Sequence, residues 1–149
     1  MRGRSGFGRG VFAWRSASTL HLMSTIESLL LKATDIAPAS VIGRALGLCE
    51  QGDPTNRDRF DPGHFTASGF VVSPDGSSLL LIHHRRLDRW LQPGGHIDPD
   101  DPSPIDAAAR EVKEETGVAT TSLLPDLIDL DIHGIPARDP EPEHEHFDL

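Results

Sequence analysis

Hydrophobic positions along this chain change their period near its middle. Up to about residue 50 they recur every three to four residues, the spacing of one helix face. "MSTIESLLLKA" sets Ile26, Leu29 and Leu30 on one side, with Ser24 as a cap and Glu27 three residues on. A second helix fits "APASVIGRALGLCEQG", where Val41, Ile42, Ala45 and Leu46 line one side and Gly52 ends it. "GDPTNRDRFDPGH" reads as a loop by its Pro, Gly and Asp content.

Then the period becomes two. "FTASGFVVSPDGSSLLLIHHRR" predicts two strands around a hairpin-type turn at Pro74-Asp75-Gly76. "RWLQPGG" is a short strand stopped by Pro93 and followed by a Gly94-Gly95 turn. "SPIDAAAREVKEETG" returns to helical spacing, with Ser103 as N-cap, Pro104 at the first helical position and Gly117 closing the end. "LIDLDIHGI" alternates Ile128, Leu130 and Ile132 against Asp129, Asp131 and His133, a half-buried strand. "EHEHFDL" alternates to the last residue and predicts a strand cut mid-run, leaving an incomplete core and an exposed sheet edge. No segment repeats another.

A chain of 149 residues is long enough for one domain with a real core. No apolar run approaches the roughly 18 to 20 residues that span a bilayer. The single cysteine, Cys49, excludes an internal disulfide framework and sits among Ala45, Leu46 and Leu48 as a small core hydrophobe. Charge is uneven. Arg2, Arg4, Arg9 and Arg15 precede the first acid, Glu27, while the whole chain sets 14 Lys and Arg against 23 Asp and Glu. An acidic body argues against a general nucleic-acid surface and suits the gathering of divalent cations, although solubility alone accounts for it too. The Arg- and Gly-rich start, residues 1–22, resembles a transit peptide in composition; an upstream extension with Met23 as the working start is the plainer reading. The division expected is therefore a disordered leader at 1–22, a helical segment and loop at 23–65, and a core at 66–149.

The densest chemistry lies on the helix that Ser103 begins. Glu111, Glu114 and Glu115 share an arc of roughly 100° at 3.6 residues per turn. Ile105, Ala108 and Val112 occupy the neighbouring arc and can anchor the helix to a sheet. Three acids on one face repel unless something positive lies between them, and Arg110 alone does not offset three. A hard divalent cation with oxygen ligands does. By itself this face reads either as a metal site or as a solvated acidic surface.

The flanking residues add a family. "REVKEETGV" behind "GG" resembles the second half of the Nudix box, in which a glycine, five residues, a glutamate and seven residues precede Arg-Glu-apolar-x-Glu-Glu-x-Gly-apolar. Arg110, Glu111, Val112, Glu114, Glu115, Gly117 and Val118 fit, and Gly95 stands upstream. The loop departs from the pattern: Asp101 replaces the upstream glutamate, and one extra residue separates it from Arg110. The order of elements extends the resemblance from Thr66 to Leu149. It implies a Nudix-type α/β/α sandwich around a mixed sheet, here with incomplete C-terminal elements. It further implies a hydrolase that cleaves the diphosphate of a nucleoside diphosphate linked to another group, using Mg²⁺ or Mn²⁺. By position, Glu111, Glu114 and Glu115 would hold the metal together with a backbone carbonyl at Gly94 or Gly95. Glu111 would be the favoured group for activating water. Arg110 would hold the glutamates, and Asp101 would support the loop.

Around the box, Arg85, Arg86, His96 and His144 are the candidate substrate contacts. "HHRRLDRW" is the one dense basic patch of the body, readable as a phosphate or base contact or as a solvated strand end. His144 and His146 stand two apart, so a strand points both to one side: a site lining, a polar strand face, or a Zn²⁺ site that still needs further ligands. Trp90 is expected as a core anchor, with base stacking as the alternative. The expected partner is a small nucleoside diphosphate derivative, with no nucleic-acid polymer and no membrane, in a cytoplasmic protein that could pair as a homodimer. The rival readings are a non-catalytic ligand-binding module of the same fold and an inactive fragment.

Overall fold

A computed structural model describes residues 17–85, 88–119, 122–124 and 126–149. Helix α1 spans Ala17–Lys32, a 3₁₀ turn follows at Ala33–Asp35, and α2 spans Ala39–Cys49. The helix starts well before Ser24, which lies inside it rather than at its cap. The reason is continuity of the apolar stripe: Leu22 precedes Ile26 and Leu30 at i, i+4 spacing, and all three are buried. In α2 the buried residues are Ile42, Ala45, Leu48 and Cys49, while Val41 and Leu46, expected on the buried side, only pack at its margin.

Strand β1 is Gly63–Ser68, β2 Ile82–His84, β3 Arg89–Leu91 and β4 Gly94–His96; helix α3 is Pro104–Thr116; β5 is Asp131–Ile135 and β6 His144–Asp148. Four strands form one sheet in the order β4-β1-β6-β5, and β2 pairs with β3 as a separate two-stranded ribbon. β1 runs parallel to β6 and antiparallel to β4, so the sheet is mixed, and helices pack against it. Two sequence expectations change here. Gly94-Gly95 is strand, not turn. "EHEHFDL" is an interior strand flanked by β1 and β5, and among the described residues the sheet edges are β4 and β5. The predicted turn at Pro74-Asp75-Gly76 does form, closed by Gly76 N–H to Ser73 C=O at 2.8 Å, but it joins a single bridge, Val72 to Leu79, rather than two long strands.

Alternation sorts the sheet into two faces. Phe65 and Ala67 of β1 and Phe147 of β6 join Leu22, Ile26, Leu30, Ala45 and Ala107 in one apolar core under the helices. The opposite face is polar: His64 lies against His146 and Thr66 against Asp148 across the β1–β6 pair, and Thr66 against His96 across β1–β4. Trp90 is 66% exposed, because the ribbon that carries it stands off the core instead of packing into it.

Candidate functional site

Local chemistry fixes α3 at both ends. Ser103 is extended, accepts the Asp106 backbone N–H at 3.2 Å and donates its hydroxyl to the Asp106 carboxylate at 2.6 Å. Gly117 is left-handed at φ 74° and returns its N–H to the Lys113 carbonyl. Buried Ala107 and Val112 set the rotation of the helix, which leaves the carboxylates facing β4 and solvent.

Arg110 organises the site. Its Nε and Nη2 donate to the two oxygens of Asp101 at 3.1 and 2.8 Å, and Nη2 also donates to the His96 carbonyl at 2.9 Å. Nη1 donates to Glu111 at 2.8 Å and to Glu114 at 3.3 Å. Every N–H of the fork thus has an acceptor. The Asp101 bonds, with Glu111 behind them, push the guanidinium pKa upward. Asp101 also accepts the Asp98 backbone N–H at 2.8 Å, so it closes the loop that carries the extra residue. It performs the loop-supporting role expected of it.

Two glycines set the approach of sheet to helix. A Cβ on Gly95 would lie 2.7–2.8 Å from the Glu111 carboxyl atoms, so only glycine leaves that carboxylate its place. The Gly94 N–H donates to Glu115 at 3.1 Å. Glu111 and Glu115 therefore each address one of the paired glycines, while Glu114 follows Arg110 toward solvent, its side chain 59% exposed. These are all-oxygen donors beside bare backbone, which fits a hard divalent cation.

The carboxylates of Glu111 and Glu115 and the polar sheet face line one open cleft of about 1760 Å³. Its wall holds His84 and Arg89 from the ribbon; Arg85 is exposed and is not on that wall, and Arg86 falls outside the described residues. His96 and His144 both lie on the histidine-rich face. His96 stacks on His64 at 5.1 Å between ring centroids, and His144 stacks on His64 at 5.4 Å. His146 contacts His64, His96, His133 and His144. Burial, reinforced by the neighbouring imidazoles, pushes His146 down to about 3; burial likewise lowers His64 and His96. Asp148 moves the other way, raised by burial although it accepts hydroxyl hydrogen bonds from Thr66 and Ser68.

Sequence reasoning missed His64, Thr66 and Asp148. The signal was present: "HFTAS" alternates from His64 onward, but the loop reading ended on His64 and hid the first residue of the face. No described helix is long and apolar enough to cross a membrane.

Comparison with known proteins agrees with this geometry. Residues 63–148 match the NUDIX domain. The chain is 31% identical over 109 residues to the "Probable DHNTP pyrophosphohydrolase" of Lactococcus lactis subsp. cremoris, covering 71% of this chain and 63% of that one. Over 52 residues it is 42% identical to the RNA pyrophosphohydrolase of Bartonella tribocorum, covering 33% of this chain and 30% of the relative. With the mouse diphosphoinositol polyphosphate phosphohydrolase 3-alpha it shares 36% identity over 69 residues, 44% of this chain and 42% of the relative. The chain spans less than two thirds of the length of these curated relatives. With a NUDIX match running from β1 through β6 and the box arginine tied to its glutamates, the chain belongs to the Nudix family.

Proposed function

We propose that this protein hydrolyses a phosphoric anhydride bond in a small molecule, a nucleoside diphosphate linked to another group. The observation that supports it most is Arg110, whose hydrogen bonds fix the loop through Asp101 and the helix carboxylates through Glu111 and Glu114. Glu111, Glu114 and Glu115, with the carbonyl of Gly95, would hold Mg²⁺ or Mn²⁺. When bound, the ion neutralises diphosphate charge and makes water a better nucleophile at neutral pH. The chain's own part is positioning. Glu111, beside the bare backbone of Gly95, accepts the proton of the attacking water, whose oxygen bonds to phosphorus as the bridging P–O bond breaks and the leaving phosphate departs. Such a reaction asks the protein for placed charges more than for a covalent nucleophile.

The relatives named above are described as acting on DHNTP, RNA and diphosphoinositol polyphosphate. A phosphoric anhydride is what such substrates share, and the attached group differs. Arg89 and His84 on the ribbon and His96 on the sheet line the same cleft, which supports a reading of them as contacts to that group and its phosphates.

A panel of nucleoside diphosphate derivatives assayed with Mg²⁺, against Glu114→Gln, tests the proposal. Turnover in the parent and its loss in the variant is the expected result. Equal turnover in both sinks the carboxylate assignment, and tight ligand binding without hydrolysis at every metal concentration selects a binding module instead.

A further inference from the structure

We propose that His64, His144 and His146 form a second metal site, on the sheet face opposite α3, for a borderline divalent cation of the Zn²⁺ class. The site is built by strand register. β1 and β6 pair in parallel with His64 opposite His146, and His144 lies two residues along on the same side. One ring nitrogen from each of the three lies within 4.8 Å of the others.

Two of the rings are already oriented as metal ligands usually are. His64 Nδ1 lies 2.9 Å from the Arg59 carbonyl and His144 Nδ1 2.8 Å from the Pro142 carbonyl. A carbonyl only accepts, so both Nδ1 atoms carry the proton and both Nε2 atoms keep a lone pair. A backbone carbonyl on the far nitrogen is the usual support of a metal-bound histidine. His64 Nε2 makes the case sharper. The residue is 0% exposed, and Nε2 has no hydrogen-bond partner among the described residues. Buried polar atoms are seldom left so, and those that are call for an explanation. A cation shared with His144 and His146 supplies one.

Chemistry selects the ion class. Neutral imidazole nitrogen suits zinc and its neighbours, whereas magnesium seeks oxygen. Tetrahedral zinc with bonds of about 2.0–2.1 Å sets its nitrogens roughly 3.4 Å apart. The triad therefore needs only a modest closure from its 4.8 Å limit. Three protein ligands leave a fourth position on the cleft side for water or an oxygen of a bound ligand. His144, expected from the sequence as a substrate contact, would then act on a ligand through the metal. The missing partner for the His144–His146 pair was His64, distant in sequence.

The experiment titrates Co²⁺, then Zn²⁺, into the full chain with Mg²⁺ in excess to occupy the box carboxylates. The expected result is one equivalent bound with the intense visible absorption of tetrahedral, nitrogen-ligated Co²⁺, displaced by Zn²⁺. His146→Ala and His144→Ala should each weaken binding at least about tenfold, while Glu114→Gln leaves it unchanged. Unchanged affinity in both histidine variants, or loss of binding in Glu114→Gln, overturns the proposal. If either histidine variant fails to fold, the parent spectrum decides: the weak absorption of octahedral oxygen-ligated Co²⁺, or no binding, refutes the site.

Discussion

Asp101 and Arg110 meet in a two-pronged ion pair, Nε to Oδ1 at 3.1 Å and Nη2 to Oδ2 at 2.8 Å, with the Asp101 side chain only 9% exposed. The aspartate stands where the box pattern has a glutamate. The loop brings Asp101 close enough for its short side chain to reach both Nε and Nη2 of Arg110. Hydrogen bonds to charged groups contribute about 1.5–3 kcal/mol, and leaving a partner unpaired adds to the loss. Asp101→Ala should therefore lower unfolding free energy by about 2–3 kcal/mol in denaturant titration and reduce turnover by loosening Arg110. A variant as stable and active as the parent would remove Arg110 from its organising role.

Gly94 and Gly95 should fail in different ways. A methyl on Gly94 would come within 2.6 Å of Ser68 Cα and 2.7 Å of the Ala67 carbonyl, both backbone atoms that cannot step aside. Gly94→Ala should cost about 1–3 kcal/mol of stability as an overpacked contact. On Gly95 the clash is with the end of the flexible Glu111 side chain, so Gly95→Ala should fold with little loss. The Glu111 carboxylate should then shift, and a misplacement of about an ångström typically lowers rate by about a hundredfold. Thermal unfolding and turnover measured on both variants separate the two effects; the reverse pattern would contradict the packing described.

What the sequence made legible was mostly local chemistry. Ser103, Pro104 and Gly117 announce α3 because caps act within a few residues, and the box spacing places Arg110 and the glutamates on one face of that helix. Strand partnership was not legible in the same way. β6 pairs in parallel with β1, some eighty residues earlier, and nothing near "EHEHFDL" encodes that partner. The same gap hid the histidine face, which exists only once His64 and His146 are in register. Gly94-Gly95 carries a turn signature, yet the glycines serve close packing inside a strand. Trp90 looks like core by residue type, yet it is exposed on a ribbon that pairs apart from the main sheet.

Acid should destabilise the protein through the histidine face. His146 is lowered from 6.5 to about 3 in the folded state, by burial and then by His64, His96, His144 and His133. The unfolded chain thus binds more protons between those values, and the contribution, fully present above about pH 6.5, is lost as pH falls toward 3. His64 and His96 act in the same direction. Asp148, on the strand beside Asp131 and His133, opposes them: its raised pKa favours the fold at acid pH. Denaturant midpoints measured near neutrality and near pH 5, with chelator present, should fall on acidification, and less so in His146→Gln. An identical slope in both proteins would exclude His146 as a source of the dependence.

Leu22 decides whether the first half of α1 belongs to the fold. It is 2% exposed and shares the core with Ile26, Leu30 and Phe65 from β1. Truncating such a leucine removes buried surface and leaves a cavity, at about 2–5 kcal/mol. Leu22→Ala should therefore shift the unfolding midpoint clearly. A chain begun at Met23 should lose at least as much, since it also removes the helical turns before Leu22. Serine in place of Leu31, which is 65% exposed on the same helix, is the control and should change stability by less than about 0.5 kcal/mol. If Leu22→Ala matches that control, the part of α1 before Met23 contributes nothing to the core.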